Sequence, residues 1–352
     1  MPDIELRFHK DMLVLSAPID AALARQGIDA ARDRQYLNLM EPDVVHDALR
    51  MEEMAGAQCI VATTEDLTRA RLAHVRMDGD ASVLAHAAVQ IAVDLKPQHV
   101  IAELAPCGLP LDPSSKSSLN ENRSQYADAA RAIGAEAVEA LLLSGFSSID
   151  DLKCALMGVR QVSDKPVMAS VLIGEVGSAA SLKYEKASLN VQSSAFSLDE
   201  QVFDSISPTA SAGGYEIVDI EPFSGAVGKR PPLSPEMWPE AVAVMQDLGA
   251  SVIGFRTAEP LFKAEEYARQ AAKLTDFPLL AELYVTADPN VKPRASLVPL
   301  DDILDYTPDT MTSAAVKLYG AGVQFLRAVG NATPSFTGAL AATVFGLDVH
   351  RS

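Results

Sequence analysis

Cysteine is scarce in this chain. Cys59, Cys107 and Cys154 are the only three in 352 residues, their spacing is unlike the paired cysteines of a zinc ribbon, and none follows Cys154. Basic residues are also short: 29 Lys and Arg stand against 47 Asp and Glu, a formal charge of -18. Generic binding to a phosphate backbone needs clustered cations that displace counterions, so nucleic acid is not an expected partner. The acidity reads as a solvated surface that keeps the chain soluble. No apolar run reaches the roughly 18 residues of a membrane span, so no membrane partner is expected. The opening Met1 to Arg7 lacks the basic-then-apolar order of a secretory signal. Together with the sparse cysteines this implies a reducing cytoplasm. The histidines, His9, His46, His74, His86, His99 and His350, form no metal-binding spacing.

What the chain does contain is a recurring unit of short apolar strand and longer helix. Met12 to Leu15 is apolar and breaks at Ser16-Ala17-Pro18, as a buried strand entering a loop does. Glu41 to Ala55 carries Val44, Val45, Leu49, Met51 and Met54 at helical spacing. The alternation continues with Cys59 to Ala62, then helical sequence from Glu65 to Asp94. Val100 to Leu104 precedes a helix over Ser118 to Gly134. Ala140 to Leu143 precedes a helix over Ile149 to Val162, and Val167 to Ile173 follows. Such alternation predicts a parallel sheet with helical crossovers, its strands buried on both faces. Units of about 30 to 40 residues, eight in number, make a (β/α)8 TIM barrel, which needs roughly 250 residues.

The second half offers Tyr215 to Ile220, Ser251 to Phe255, Leu279 to Val285 and Val323 to Leu326, one strand too many. Residues 176–232 are rich in serine, include Gly213-Gly214 and Pro231-Pro232, and show no convincing long helix. They are read as an irregular insertion after strand 5, with Tyr215 to Ile220 as an extra strand inside it and Pro235 to Leu248 as the true crossover helix. The expectation is a single barrel domain over residues 1–352 that closes on eight strands. Thr286 to Asp309, with four prolines, is a second long loop on the side where barrels build their sites.

Several segments carry a resemblance. Leu13 to Pro18, Tyr36 to Pro42, Ala55-Gly56-Ala57, Thr63-Thr64, Leu141 to Leu143, Val162 to Val167 and Gly322 to Pro334 follow an order similar to that of the homocysteine S-methyltransferase family. That family includes the homocysteine-binding domain of cobalamin-dependent methionine synthase and betaine-homocysteine methyltransferase. The resemblance spans nearly the whole chain outside the insertion and implies a (β/α)8 barrel. It also implies a zinc held by one cysteine after strand 6 and an adjacent pair after strand 8, which activates the homocysteine thiol toward a methyl donor. The strand 6 position falls on or near Arg256. The strand 8 motif falls on Arg327 to Asn331, with Thr333-Pro334 kept. No cysteine stands at either place, so zinc is not expected. The family's Asp-Gly after strand 1 is Ser16-Ala17, and its Glu-Thr after strand 4 is Ser144-Gly145, so homocysteine is not expected as the substrate.

Candidate site residues lie at the carboxyl ends of the strands: Ser16, Asp20, Thr63, Thr64, Glu65, Asp66, Glu103, Cys107, Ser144, Glu175, Arg256, Thr257, Glu282, Tyr284, Arg327 and Asn331. Arg256 and Arg327 are the foremost, because guanidinium suits bidentate binding of carboxylate or phosphate. Held with Ser16, Thr64 and Asn331, and countered by Glu103 or Glu282 when empty, they would bind a small anionic ligand. The alternative is that each arginine forms a structural ion pair with a rim carboxylate. Glu65-Asp66 is an acid-base or cation pair, or simply the acidic first turn of a helix. Cys107 is a nucleophile without an obvious base, or a small buried thiol. The functional expectation is a methyltransferase-like enzyme acting on a different small anionic substrate, with no cofactor motif of its own. A methylcorrinoid or other methyl donor would come from a corrinoid or folate protein in trans. The rival is a non-catalytic barrel serving as a docking subunit of a methyltransferase system.

Overall fold

The computed structural model describes residues 3–175, 231–286 and 306–349. In chain order the elements are β1 (Leu13–Val14), α1 (Asp20–Arg25), α2 (Ala30–Met40), α3 (Pro42–Met54), β2 (Cys59–Ala62), α4 (Arg69–His74), α5 (Ala81–Asp94), β3 (His99–Leu104), α6 (Lys116–Gly134), β4 (Ala140–Phe146), α7 (Ile149–Arg160), β5 (Val167–Leu172), α8 (Trp238–Asp247), β6 (Val252–Thr257), α9 (Leu261–Leu274), β7 (Leu279–Val285), α10 (Pro308–Gly320), β8 (Val323–Gly330) and α11 (Pro334–Val349). All strand pairs are parallel and run β1-β8-β7-β6-β5-β4-β3-β2. The two ends of that sheet meet through a parallel bridge between Leu15 and Cys59, where Ser16 N–H donates to the Cys59 carbonyl at 2.9 Å. The result is a (β/α)8 barrel.

Two segments depart from the helices that the sequence predicts. The stretch from Glu65 to Asp94 is two helices, because the chain turns between them with Arg76 in the left-handed region (φ 60°) and Asp78-Gly79 following. Glu65 and Asp66 therefore precede α4 in a turn and do not form its first turn. The crossover at Pro235 starts as a single 3-10 turn before α8. Tyr215 to Ile220, the 176–232 insertion up to residue 230, and residues 287–305 of the second loop lie outside the described residues.

Strand alternation divides the core in two. Leu13, Leu15, Cys59, Val61, Ile101, Ala140, Leu142, Met168, Val252, Leu280 and Phe325 fill the lumen, and Ile4 joins them. Phe8 stacks edge-on against Phe325, with ring centres 5.9 Å apart. The other strand faces pack against the helices as one continuous apolar layer. This packing is tightest between α6 and α7, where a Cβ on Gly158 would lie 2.4 Å from the Arg123 carbonyl oxygen. Replacing a helical glycine by alanine ordinarily stabilises by about 1 kcal/mol. Here overpacking, about 1–3 kcal/mol, outweighs that gain, so Gly158→Ala is expected to cost up to about 2 kcal/mol net, read as a lower urea midpoint.

Candidate ligand-binding site at the barrel mouth

One step above the apolar lumen the strand ends turn polar. Register aligns Arg256 with Glu282 and Glu282 with Arg327, so three charged side chains stand side by side on β6, β7 and β8. Glu103 comes from β3 to close a ring of alternating sign. Arg327 contacts Glu103 at 2.8 Å and Glu282 at 3.3 Å, while Arg256 contacts Glu282 at 2.9 Å and Glu103 at 3.6 Å. Arg327 and Glu282 are 1% and 0% exposed, Arg256 and Glu103 7% and 6%. The longest link of the ring therefore joins its two most exposed members.

Hydroxyls complete the ring. Ser144 Oγ donates to both Glu282 oxygens at 3.1 and 3.2 Å and accepts from Arg256. Ser170 Oγ also donates to Glu282, and accepts from Gly145 N–H at 3.1 Å. Gly145 has φ 73°, and a Cβ there would sit 2.9 Å from Arg256 Nη1. Glycine thus serves both the bend in β4 and the close approach of the guanidinium. Burial alone would push the Glu282 carboxyl up, but Arg256 and Arg327 outweigh it and hold it below the usual carboxylate range. Burial likewise opposes the charge on Arg327, and Glu103 and Glu282 overcome it and raise its affinity for the proton.

The remaining candidates support the ring or lie apart from it. The Ser16 carbonyl accepts from Arg327 Nε at 2.9 Å, while its Oγ accepts from Val61 N–H. Thr64 Oγ1 bonds both the backbone N–H and the carbonyl of Glu103 at 2.8 and 2.9 Å, fixing the end of β3. Thr63 pairs with Asn38. Asn331 Nδ2 donates to the Thr286 carbonyl at 3.4 Å and is not in the ring. Tyr284 packs where Gly330 leaves room. Glu175 N–H and Thr257 Oγ1 both engage Glu259. Cys107 is buried, its Sγ donating to Asn122 Oδ1 at 3.2 Å and its N–H to the Tyr126 hydroxyl at 2.8 Å.

A second ionic cluster stands on the β2 side of the mouth. Arg34 from α2 contacts Asp20, and its Nη1 reaches both Glu65 and Asp66 at 2.8 Å. Arg71 from α4 also binds Asp66, and donates to the Pro106 carbonyl at 2.9 Å. Burial would raise the Asp66 carboxyl, yet Arg71 and Arg34 bring it below its ordinary value. Arg34 and Arg71 gave no signal in the sequence, because an arginine inside a helix reads as a solvated one. Among the described residues no group of three or more His, Cys, Asp or Glu is arranged to hold a metal ion, and no helix is long and apolar enough to cross a membrane.

A closed parallel barrel with its polar residues gathered at the carboxyl ends of the strands is the (β/α)8 scaffold on which enzymes carry their sites. Residues 14–198 match the sequence model of the homocysteine S-methyltransferase family, and the chain belongs to that family. The matched span covers β1 to β5 and ends before the strands that carry Arg256, Glu282 and Arg327. A search of curated protein sequences gives no match. Among solved structures, the homocysteine methyltransferase MmuM from Escherichia coli is similar in its oxidized form (TM-score 0.63, 13% identity) and its metallated form (TM-score 0.61, 12% identity). Each aligns over 95% of this chain and 96% of that one. At this identity the likeness establishes the fold.

Proposed function

We propose that this barrel binds a small anionic ligand at Arg256 and Arg327 and works, in a methyl-transfer lineage, without a zinc-bound thiol. The observation that carries the reading is the ring itself: two guanidiniums, from β6 and β8, converge on one point of the mouth. The residues at these strand ends do not fit a zinc centre of thiolates. A guanidinium offers no lone pair, Val329 and Gly330 bring no side-chain donor, and the three cysteines are buried elsewhere in β2, after β3 and in α7.

What these residues can do is exchange one carboxylate for another. The 3.6 Å contact between Arg256 and Glu103 is the longest in the ring and involves its most exposed members. A ligand carboxylate, sulfate or phosphate entering there takes the place of Glu103 on Arg256, while Arg327 and Glu282 stay fixed beneath. Ser144 keeps its hydroxyl on Glu282 and so holds that carboxylate and Arg256 in place as the ligand enters. Methyl transfer on such a ligand requires a donor, and this reading assigns that role to a methylcorrinoid or folate protein acting in trans. The rival is a non-catalytic docking barrel in which the four charges only hold the mouth together, and the neutrality of the ring favours it.

Calorimetric titration with sulfate, acetate and succinate separates the two. Saturable binding is expected in the wild type. In Arg256→Met it should fall by about tenfold or more, the worth of a charge-assisted bond of about 1.5–3 kcal/mol. Arg256→Lys keeps the charge but loses the fork and is expected to fall between them. Equal affinity in all three proteins would leave the arginines a purely structural role.

A further inference from the structure

The charges of these two ionic clusters do not balance. Arg256 and Arg327 match Glu103 and Glu282, but beside them Arg34 and Arg71 face three carboxylates, Asp20, Glu65 and Asp66. One negative charge is in excess. A surplus charge in a buried cluster is expensive, and a proton on one carboxylate removes it. The three acids are not equally supported. Asp66 takes both guanidiniums. The Asp20 side chain is 37% exposed and has water to stabilise its charge. Glu65 is 15% exposed and, among the described residues, has a single ionic contact, to an Arg34 nitrogen that it shares with Asp66. The end of β3 lies against it, since Ala105 N–H donates to the Glu65 carbonyl at 3.1 Å, and this brings the like charge of Glu103 close.

We propose that Glu65 is the proton-carrying group of this outer cluster, holding a proton at neutral pH so that the cluster beside the ligand site is uncharged. The groups facing it are Asp20 from α1, Arg34 from α2, the adjoining Asp66, Arg71 from α4 through Asp66, and Glu103 from β3. Burial pushes its carboxyl up to about 8, with Asp66, Glu103 and Asp20 adding to the rise and Arg34 opposing it. The consequence rests on the anion reading of the mouth. An anion on Arg256 leaves Glu103 paired with Arg327 alone, and the added negative charge raises the proton affinity of Glu65 further. By linkage an ionised Glu65 weakens the anion.

Two measurements test this. Infrared difference spectra of wild type against Glu65→Gln are expected to show a protonated carboxyl band that fades as the pH rises through about 8 and that the variant lacks. Glutamine mimics the protonated acid, so the variant should fold normally. Glu103→Gln, which removes the like charge, should move the midpoint down. Sulfate stays fully ionised across this range, so any pH dependence of its binding belongs to the protein. Its affinity should weaken by up to about tenfold per pH unit above the midpoint in wild type and stay flat in Glu65→Gln. An absent band, or a band unchanged in the variant, overturns the proposal. Sulfate binding that is equally flat in both proteins overturns it too, and leaves the anion site standing. A Glu65-dependent band with no sulfate binding at any pH supports the proton assignment and removes the anion reading.

Discussion

Arg327→Met is expected to destabilise the protein by about 3–5 kcal/mol, the cost of removing one partner from a buried ion pair. The side chain is 1% exposed and holds Glu103 at 2.8 Å and Glu282 at 3.3 Å. Without it both buried carboxylates face each other across the mouth, with only Arg256 between them. Its Nε bond to the Ser16 carbonyl is lost as well, at the point where β1 and β8 meet. Arg256→Met should cost less, because that side chain is 7% exposed and its contact to Glu103 is 3.6 Å long. Urea denaturation of both variants tests the order. A loss under about 1 kcal/mol for Arg327→Met would mean that water reaches the ring and screens it, as at surface pairs.

The pH dependence has a definite sign. Glu282 is held below the usual carboxylate range in the folded state. Its stabilising contribution is therefore complete above the unfolded value and is lost as the pH falls through the folded one. Wild type should lose stability on the acid side, and Arg327→Met should flatten that limb, because it removes one of the two cations that depress Glu282. Glu65 works in the opposite direction. Its folded value lies near 8, above the ordinary one, so its contribution is complete at low pH and declines as the pH rises toward that point.

Much of this barrel can be read from sequence because the strands are short, apolar and buried on both faces. Cys59 to Ala62 and Leu279 to Val285 carry their boundaries in their composition, and the polar residue ending each run marks the mouth. Charged residues inside the carboxyl halves of such apolar runs bring Arg256, Glu282, Arg327 and Glu103 forward as site candidates. Sequence does not show that Arg256, Glu282 and Arg327 share one register level, or that Glu103 crosses from β3 to join them, because those contacts depend on how the sheet staggers as it closes. The outer cluster is less visible still. Arg34 and Arg71 lie on α2 and α4 without any local mark, and only the return of two helices to the end of β2 sets them against Asp66. Ser170, which bonds Glu282, is hidden for a different reason: a serine inside an apolar strand looks like a neutral substitution until its hydroxyl has a partner.

A combined apolar variant, Glu103→Leu, Arg256→Met, Glu282→Leu and Arg327→Met with Ser144→Ala, is expected to recover the stability that Arg327→Met loses and to abolish sulfate binding. Replacing a complete buried ion network by apolar groups of similar volume is commonly neutral, or stabilising by about 1–4 kcal/mol, because the desolvation of every charge is relieved at once. Ser144→Ala is included because that hydroxyl would otherwise lose both Glu282 and Arg256. Ser170 is kept because Gly145 N–H donates to it, although its own O–H loses Glu282 and offsets part of the gain. The swing between the single and the combined variant, about 3–5 kcal/mol or more, measures how much of the Arg327→Met defect is uncompensated charge and how much is lost packing. If the combined variant remains as unstable as Arg327→Met, shape complementarity at the lumen rim holds the barrel closed, and the ring is structural in the plainest sense. If it folds as stably as wild type and no longer binds sulfate, the barrel does not need these four charges to stand, and what they supply is recognition at the mouth.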